Sequence, residues 1–123
     1  MTSWTASQLQ TLHDVQEIRI TPADERSPGR LIWVVETGGR VFVRSWKGPD
    51  KAWYRDVLAA GGAHLSGQDV DIEADVSVGR TAEADAAVDA AFLSKYGDPY
   101  ATEMTQEPAL GTTLELLPID PRL

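Results

Sequence analysis

The sequence contains no cysteine. Disulfides and thiolate metal sites are therefore excluded, and a reducing cytoplasm suits the chain. No apolar stretch approaches the ~20 residues of a membrane-spanning helix. The start, Met1-Thr-Ser-Trp-Thr, lacks the basic region and apolar run of a signal peptide, so the expected location is cytoplasmic. There is no Gly-x-Ser-x-Gly and no cysteine nucleophile, which leaves hydrolase chemistry unsupported. Histidine occurs only at His13 and His64. His13 ends a short helix, where it meets the carbonyl end favourably. His64 has no Asp or Ser partner at a recognisable catalytic spacing. Internal repeats and low-complexity segments are also missing.

What remains is 123 residues with 42% apolar and 24% charged content, the balance of one globular domain over 1–123. The net charge is −8, with 11 Lys/Arg against 19 Asp/Glu. The distribution is uneven. Residues 1–55 carry 8 bases and 6 acids (8 − 6 = +2), and residues 56–123 carry 3 bases and 13 acids (3 − 13 = −10). Nucleic acid is a poor partner for so acidic a chain. A basic locus within it suits a small anion, while the acids also serve solubility.

Hydrophobic periodicity orders the chain. Ser3 or Thr5 caps a helix through about His13, with Leu9, Leu12 and Trp4 on its inner side. Ile18 and Ile20 alternate with polar residues in a strand over Val15–Thr21. Pro22–Gly29 is a polar loop. Leu31–Val35 is a continuous apolar run and reads as a central strand buried on both faces. Gly38-Gly39 then marks a hairpin into Val41–Trp46, since both turn residues can take positive φ. Asp50 reads as the N-cap of a helix through about Ala59, which Gly61-Gly62 ends. A short strand covers Ala63–Ser66. Val70–Val78 alternates cleanly between apolar and acidic residues. Thr81 caps a helix over Ala82–Tyr96, and Gly97 stops it. Asp98–Gly111 reads as loop with a short strand near Tyr100–Met104, and Thr112–Leu117 as the last strand. Tight turns between strands favour an antiparallel sheet. The expected fold is mainly β (α+β), a small barrel of about six strands with two or three helices.

Chemistry concentrates at one corner. In Val41–Tyr54 a strand runs into Gly48-Pro49 and then a helix, so Arg44, Ser45, Lys47, Gly48 and Lys51 crowd one turn. Cations, a hydroxyl, a small-residue backbone and helix-end N–H groups are what a phosphate or other anion needs. Trp46 and Trp53 flank the turn, so a flat ring could lie beside the anion. The plainer alternative makes Arg44 and Lys47 strand-end charges paired with acids, and the tryptophans core or dimer contacts. The acids Asp69, Asp71, Glu73 and Asp75 read as a solvated strand face rather than a metal site, because alternate residues stand ~6–7 Å apart.

Ser45, Gly48, Lys51, Trp53 and Tyr54 resemble, in order and nearly in spacing, the motif of deazaflavin-dependent nitroreductases. These belong with the pyridoxamine-phosphate oxidases to the flavin-binding split β-barrel superfamily. A closer resemblance is to one uncharacterised domain-of-unknown-function branch of that superfamily. It rests on Ile32–Val35, Val43–Ser45, Gly48, Ala52–Arg55, Lys95–Gly97 and Thr112–Leu114, and covers about residues 4–118. The resemblance implies a homodimer with FMN or a deazaflavin between the two copies, and the residues themselves suggest no metal. Arg44, Ser45, Lys47, Gly48 and Lys51 would grip the phosphate. Arg30 is a further candidate, and Trp53 and Tyr54 would shape the ring pocket. It points to a redox protein whose cofactor carries the hydride chemistry, which suits a sequence without an acid–base pair. Two alternatives stay open, a non-enzymatic module binding a flavin or small anion, and a dimeric scaffold with a closed pocket.

Overall fold

The computed structural model describes residues 3–67, 69–78, 80–97 and 99–119. Helix α1 (Ala6–Asp14) begins with a capping box. The Thr5 hydroxyl accepts from the Gln8 N–H at 3.1 Å, and the Gln8 side chain accepts from the Thr5 N–H at 2.9 Å. Two donors that a helix start leaves open are thereby satisfied. Strands β1 (Ile18–Pro22), β2 (Arg30–Ile32), β3 (Val35–Thr37) and β4 (Arg40–Val43) follow. Next come α2 (Ala52–Ala60), β5 (Gly62–Gly67), β6 (Val70–Ser77), α3 (Ala82–Tyr96) and a short α4 (Tyr100–Met104). A 3-10 turn at Leu110–Thr112 leads into β7 (Leu114–Pro118).

Every pairing is antiparallel, in the order β2-β1-β5-β6-β7-β4-β3. The outermost strands, β2 and β3, are neighbours in sequence, with only Trp33 and Val34 between them. Seven flat strands ~4.8 Å apart would hold those edges ~29 Å from each other. Three peptide steps reach ~11 Å at most. The sheet must therefore curl until its edges meet, and the result is an antiparallel split barrel.

Strand alternation sorts the side chains. Val41 and Val43 of β4 join Ile18, Ile20, Leu65, Ala74, Leu114 and Leu116 in the larger core, which α1 and α2 close with Leu12, Trp53, Tyr54 and Val57. Trp4 plugs the same core, its indole N–H donating to the Leu116 carbonyl at 3.1 Å. Phe42 points the other way. With Val35 it packs under Val88 and Phe92 of α3 and Met104 of α4. No helix among the described residues is long and apolar enough to cross a membrane.

Several expectations stand. The Gly38-Gly39 hairpin joins β3 to β4, with φ of 59° and 79°. Thr81 caps α3 by accepting from the Ala84 N–H at 3.0 Å. Gly61 ends α2 in the left-handed region.

Other readings are corrected. Leu31–Val35 is not one central strand. It is two edge strands and the link between them, and Leu31 is 50% exposed. The splitting of that run gives seven strands rather than six. Asp50 is not the helix cap: Lys51, one residue later, holds that position before Ala52, with no side-chain cap bond. Tyr100–Met104 is helical rather than extended.

The link at Trp33-Val34 has lost its sheet partners and takes others from α3. The Tyr96 hydroxyl accepts from the Val34 N–H at 3.1 Å and donates to the Gln16 carbonyl at 2.8 Å. The Lys95 ammonium donates to the Val34 carbonyl at 2.7 Å and to the Leu12 carbonyl, near the end of α1, at 2.8 Å. Trp33 stacks on Tyr96, centroids 4.0 Å apart and planes 3° from parallel. Buried backbone groups need partners, and the Lys95-Tyr96 pair supplies them where the ladder cannot. Burial holds Lys95 down at about 8 and pushes Tyr96 up to about 12.

Candidate functional site

The corner after β4 is rigid because it is bonded through its own backbone. Gly48, at φ 101°, donates its N–H to the Ser45 carbonyl at 3.0 Å, and the Ser45 hydroxyl donates to the Gly48 carbonyl at 2.6 Å. The Ser45 N–H donates to the Thr112 hydroxyl at 2.7 Å, which ties the turn to the segment before β7. A side chain at position 48 would combine a disfavoured φ with contacts of 3.0–3.2 Å to Pro108.

Beside this corner lies a cleft of about 420 Å³, walled by β2, the corner, the start of α2 and α4. That volume falls within the range of small-molecule sites. The cleft brings together Arg30, Arg44, Ser45, Lys47, Lys51 and Trp53 from the expected set. Gly48 shapes the turn without lining the cleft, and Tyr54 lies outside the lining altogether. Tyr54 is buried in the core, its ring edge-on to Trp53 at 5.8 Å, and desolvation raises its phenol above the ordinary value.

The cations at the corner differ sharply. Arg44 follows Phe42 by two residues and so points to the α3 side. Its guanidinium, 0% exposed, donates to the Thr113 hydroxyl (2.8 Å), Asp89 (2.5 Å), the Met104 carbonyl (2.7 Å) and the Asp85 carbonyl (3.4 Å). Phe92 lies against it at 5.6 Å. Arg44 thus braces β4 against α3 and α4 and has its donors engaged inside the protein. Ser45 is fully buried, with its hydroxyl turned to Gly48. Lys47, Lys51 and Arg30 are exposed and make no ion pair or hydrogen bond through their side chains among the described residues. Lys47 rests over the Trp46 ring at 4.0 Å. Lys51 stands at the N-terminus of α2, where the first N–H groups have no side-chain cap and the helix presents partial positive charge.

Sequence reasoning missed Glu17, Glu103, Leu31, Trp33, Tyr100 and Met104 as wall residues. From the sequence Trp33 reads as a core or dimer contact, within the Leu31–Val35 run, rather than as a wall of the ligand site. Glu103 and Tyr100 belong to α4, a five-residue helix with no capping signal. Elsewhere His64 lies between Asp71 (2.8 Å) and Glu73 (2.6 Å) on the outer face of β5 and β6, away from the cleft. No group of three or more His, Cys, Asp or Glu among the described residues could hold a metal.

Two solved structures share this fold. The conserved hypothetical protein Rv2991 from Mycobacterium tuberculosis superposes with a TM-score of 0.66 at 10% identity, over 99% of this chain and 83% of that one. A proposed pyridoxamine 5'-phosphate oxidase from Listeria innocua gives 0.59 at 13% identity, over 90% and 88%. At such identities the likeness is one of fold. Among curated proteins none matches the sequence. The family described as "Uncharacterized protein conserved in bacteria (DUF2255)" matches residues 8–116. That span is most of the chain, and the protein belongs to this family.

Proposed function

We propose that the cleft binds the phosphate-bearing end of FMN or a deazaflavin, and that the protein is a redox protein working as a homodimer. The observation that carries this reading is the set of cations Arg30, Lys47 and Lys51, none with an ion pair among the described residues, in a cleft walled by Trp33 and Trp53. Unpaired ammonium and guanidinium groups suit a phosphate, and indole faces suit a planar ring. The uncapped start of α2 adds N–H donors beside the same space. Leu31, Trp46 and Tyr100, each at least 50% exposed, rim the cleft and offer apolar surface to a second copy.

When bound, a flavin supplies hydride or electron transfer. The chain's own part is to neutralise the phosphate, orient the ring and exclude water. Arg44 contributes indirectly, by holding the corner in place.

The test is titration of the purified protein with FMN, and with a deazaflavin, followed by absorbance and calorimetry. Lys47→Ala and Lys51→Ala should each weaken binding by roughly tenfold or more, the worth of a charge-assisted contact. Equal affinity in all three proteins would overturn the assignment. A second reading, a dimeric scaffold without cofactor, draws support from the internal bonds of Arg44 and Ser45. Native protein that carries no visible absorbance and takes up neither flavin would favour it.

A further inference from the structure

Trp46 is an exposed indole that is nevertheless held from two sides. Half of its surface meets solvent. Its Nε1–H donates across the cleft to Glu103 Oε2 of α4 at 3.2 Å, and the Lys47 ammonium lies 4.0 Å from its ring centroid. Both contacts follow the charge distribution of an indole, whose N–H edge is positive and whose face is negative. A carboxylate on the N–H pushes electron density toward the ring face, so each contact strengthens the other. Trp46 and Lys47 belong to the corner and Glu103 to the facing wall, and all three line the cleft. The Trp46–Glu103 bond joins the two walls at this exposed rim.

We propose that Trp46 is a strap across the cleft, which occupies Lys47 while the site is empty and swings aside when a planar anion enters. This rests on the reading of the cleft as an anion site. The incoming anion takes Lys47 from the indole face, and loss of that contact frees the ring from Glu103. Trp46 on this account competes with the ligand. A stacking platform would do the reverse.

The two roles predict opposite signs. The probes are FMN and 8-anilinonaphthalene-1-sulfonate, a planar anion unrelated to flavins, each titrated into full-length protein. Trp46→Phe keeps a ring and removes the N–H, Trp46→Ala removes the ring, and Glu103→Ala removes the acceptor. Each should tighten both probes by roughly three- to tenfold, the worth of a released cation–π contact. The double variant Trp46→Ala/Glu103→Ala should gain no more than either single variant. Glu103→Gln keeps an acceptor oxygen without the charge and should tighten both probes only slightly, as loss of a nearby negative charge does, and clearly less than Glu103→Ala. Weaker binding in the Trp46 variants, or Glu103→Gln matching Glu103→Ala, would overturn the strap. If neither probe binds any variant, the strap also falls, because its removal must leave an open cleft. Tightening for the sulfonate alone would keep the strap and remove the flavin reading.

Discussion

Arg44 and Lys51 leave the same strand-to-helix connection, and the structure gives them opposite surroundings. Arg44 is walled in by Asp89, Thr113, Met104 and Asp85, on the side of the barrel that α3 and α4 cover. Lys51 stands with Lys47 and Arg30 on the open side, none of them in an ion pair among the described residues, although Glu17 and Glu103 line the same cleft. A cation with four internal acceptors is part of the frame, and a cation with none is available to a ligand. Residue type and proximity in sequence do not separate the two cases. The partners do, and they arrive from 41 to 69 residues away.

The contrast is sharpest in stability. Arg44→Met should cost about 3 kcal/mol in urea unfolding, because it strands Asp89 and several buried acceptors. Lys47→Ala and Lys51→Ala should stay within about 0.5 kcal/mol of wild type. An Arg44 variant as stable as wild type, with weakened FMN binding, would move Arg44 from the frame to the ligand.

Next in size is Tyr96→Phe. It removes the partner of the Val34 N–H and should cost about 1–3 kcal/mol. Alkaline titration then separates the two clasping residues. Lys95 titrates at about 8 in the folded chain, below its ordinary 10.5. Between those values the unfolded chain holds a proton that the folded chain has released, so stability from this group rises with pH. Tyr96 titrates at about 12, above its ordinary 10.0, and the folded chain keeps the proton longer. Stability from it falls as pH climbs through that window. Unfolding profiles of Lys95→Met and Tyr96→Phe, each subtracted from wild type, should show one rise and one fall. The smallest effect should be that of Asp50→Asn. Asp50 is exposed and caps nothing, so stability should change by less than about 0.5 kcal/mol, and FMN binding should tighten slightly through loss of a nearby negative charge.

Local signals made much of the fold legible. The alternation from Val70 through Ser77, the Thr81 and Gly97 limits of α3, and the glycines of the β3–β4 turn all act within a few residues and are legible, although the expected strand runs one residue too far, to the exposed Val78. Leu31–Val35 was not, because nothing inside it marks the break. Its interruption at Trp33-Val34 depends on Tyr96 and Lys95, more than 60 residues later. The position of the cleft was legible from the crowding of Arg44–Lys51. Which of its cations are held by internal acceptors was not, since the groups that capture Arg44 lie on α3 and around α4.

The two-residue link that joins the sheet's edges also sets an order of assembly. While a ribosome has yet to deliver Lys95 and Tyr96, Val34 lacks the donors that fasten it, and β4 lacks its neighbour β7. A nascent chain at that stage carries unpaired strand edges, the usual starting point for misassociation. Deletions that remove the last third of the protein should therefore yield insoluble product rather than a smaller soluble barrel.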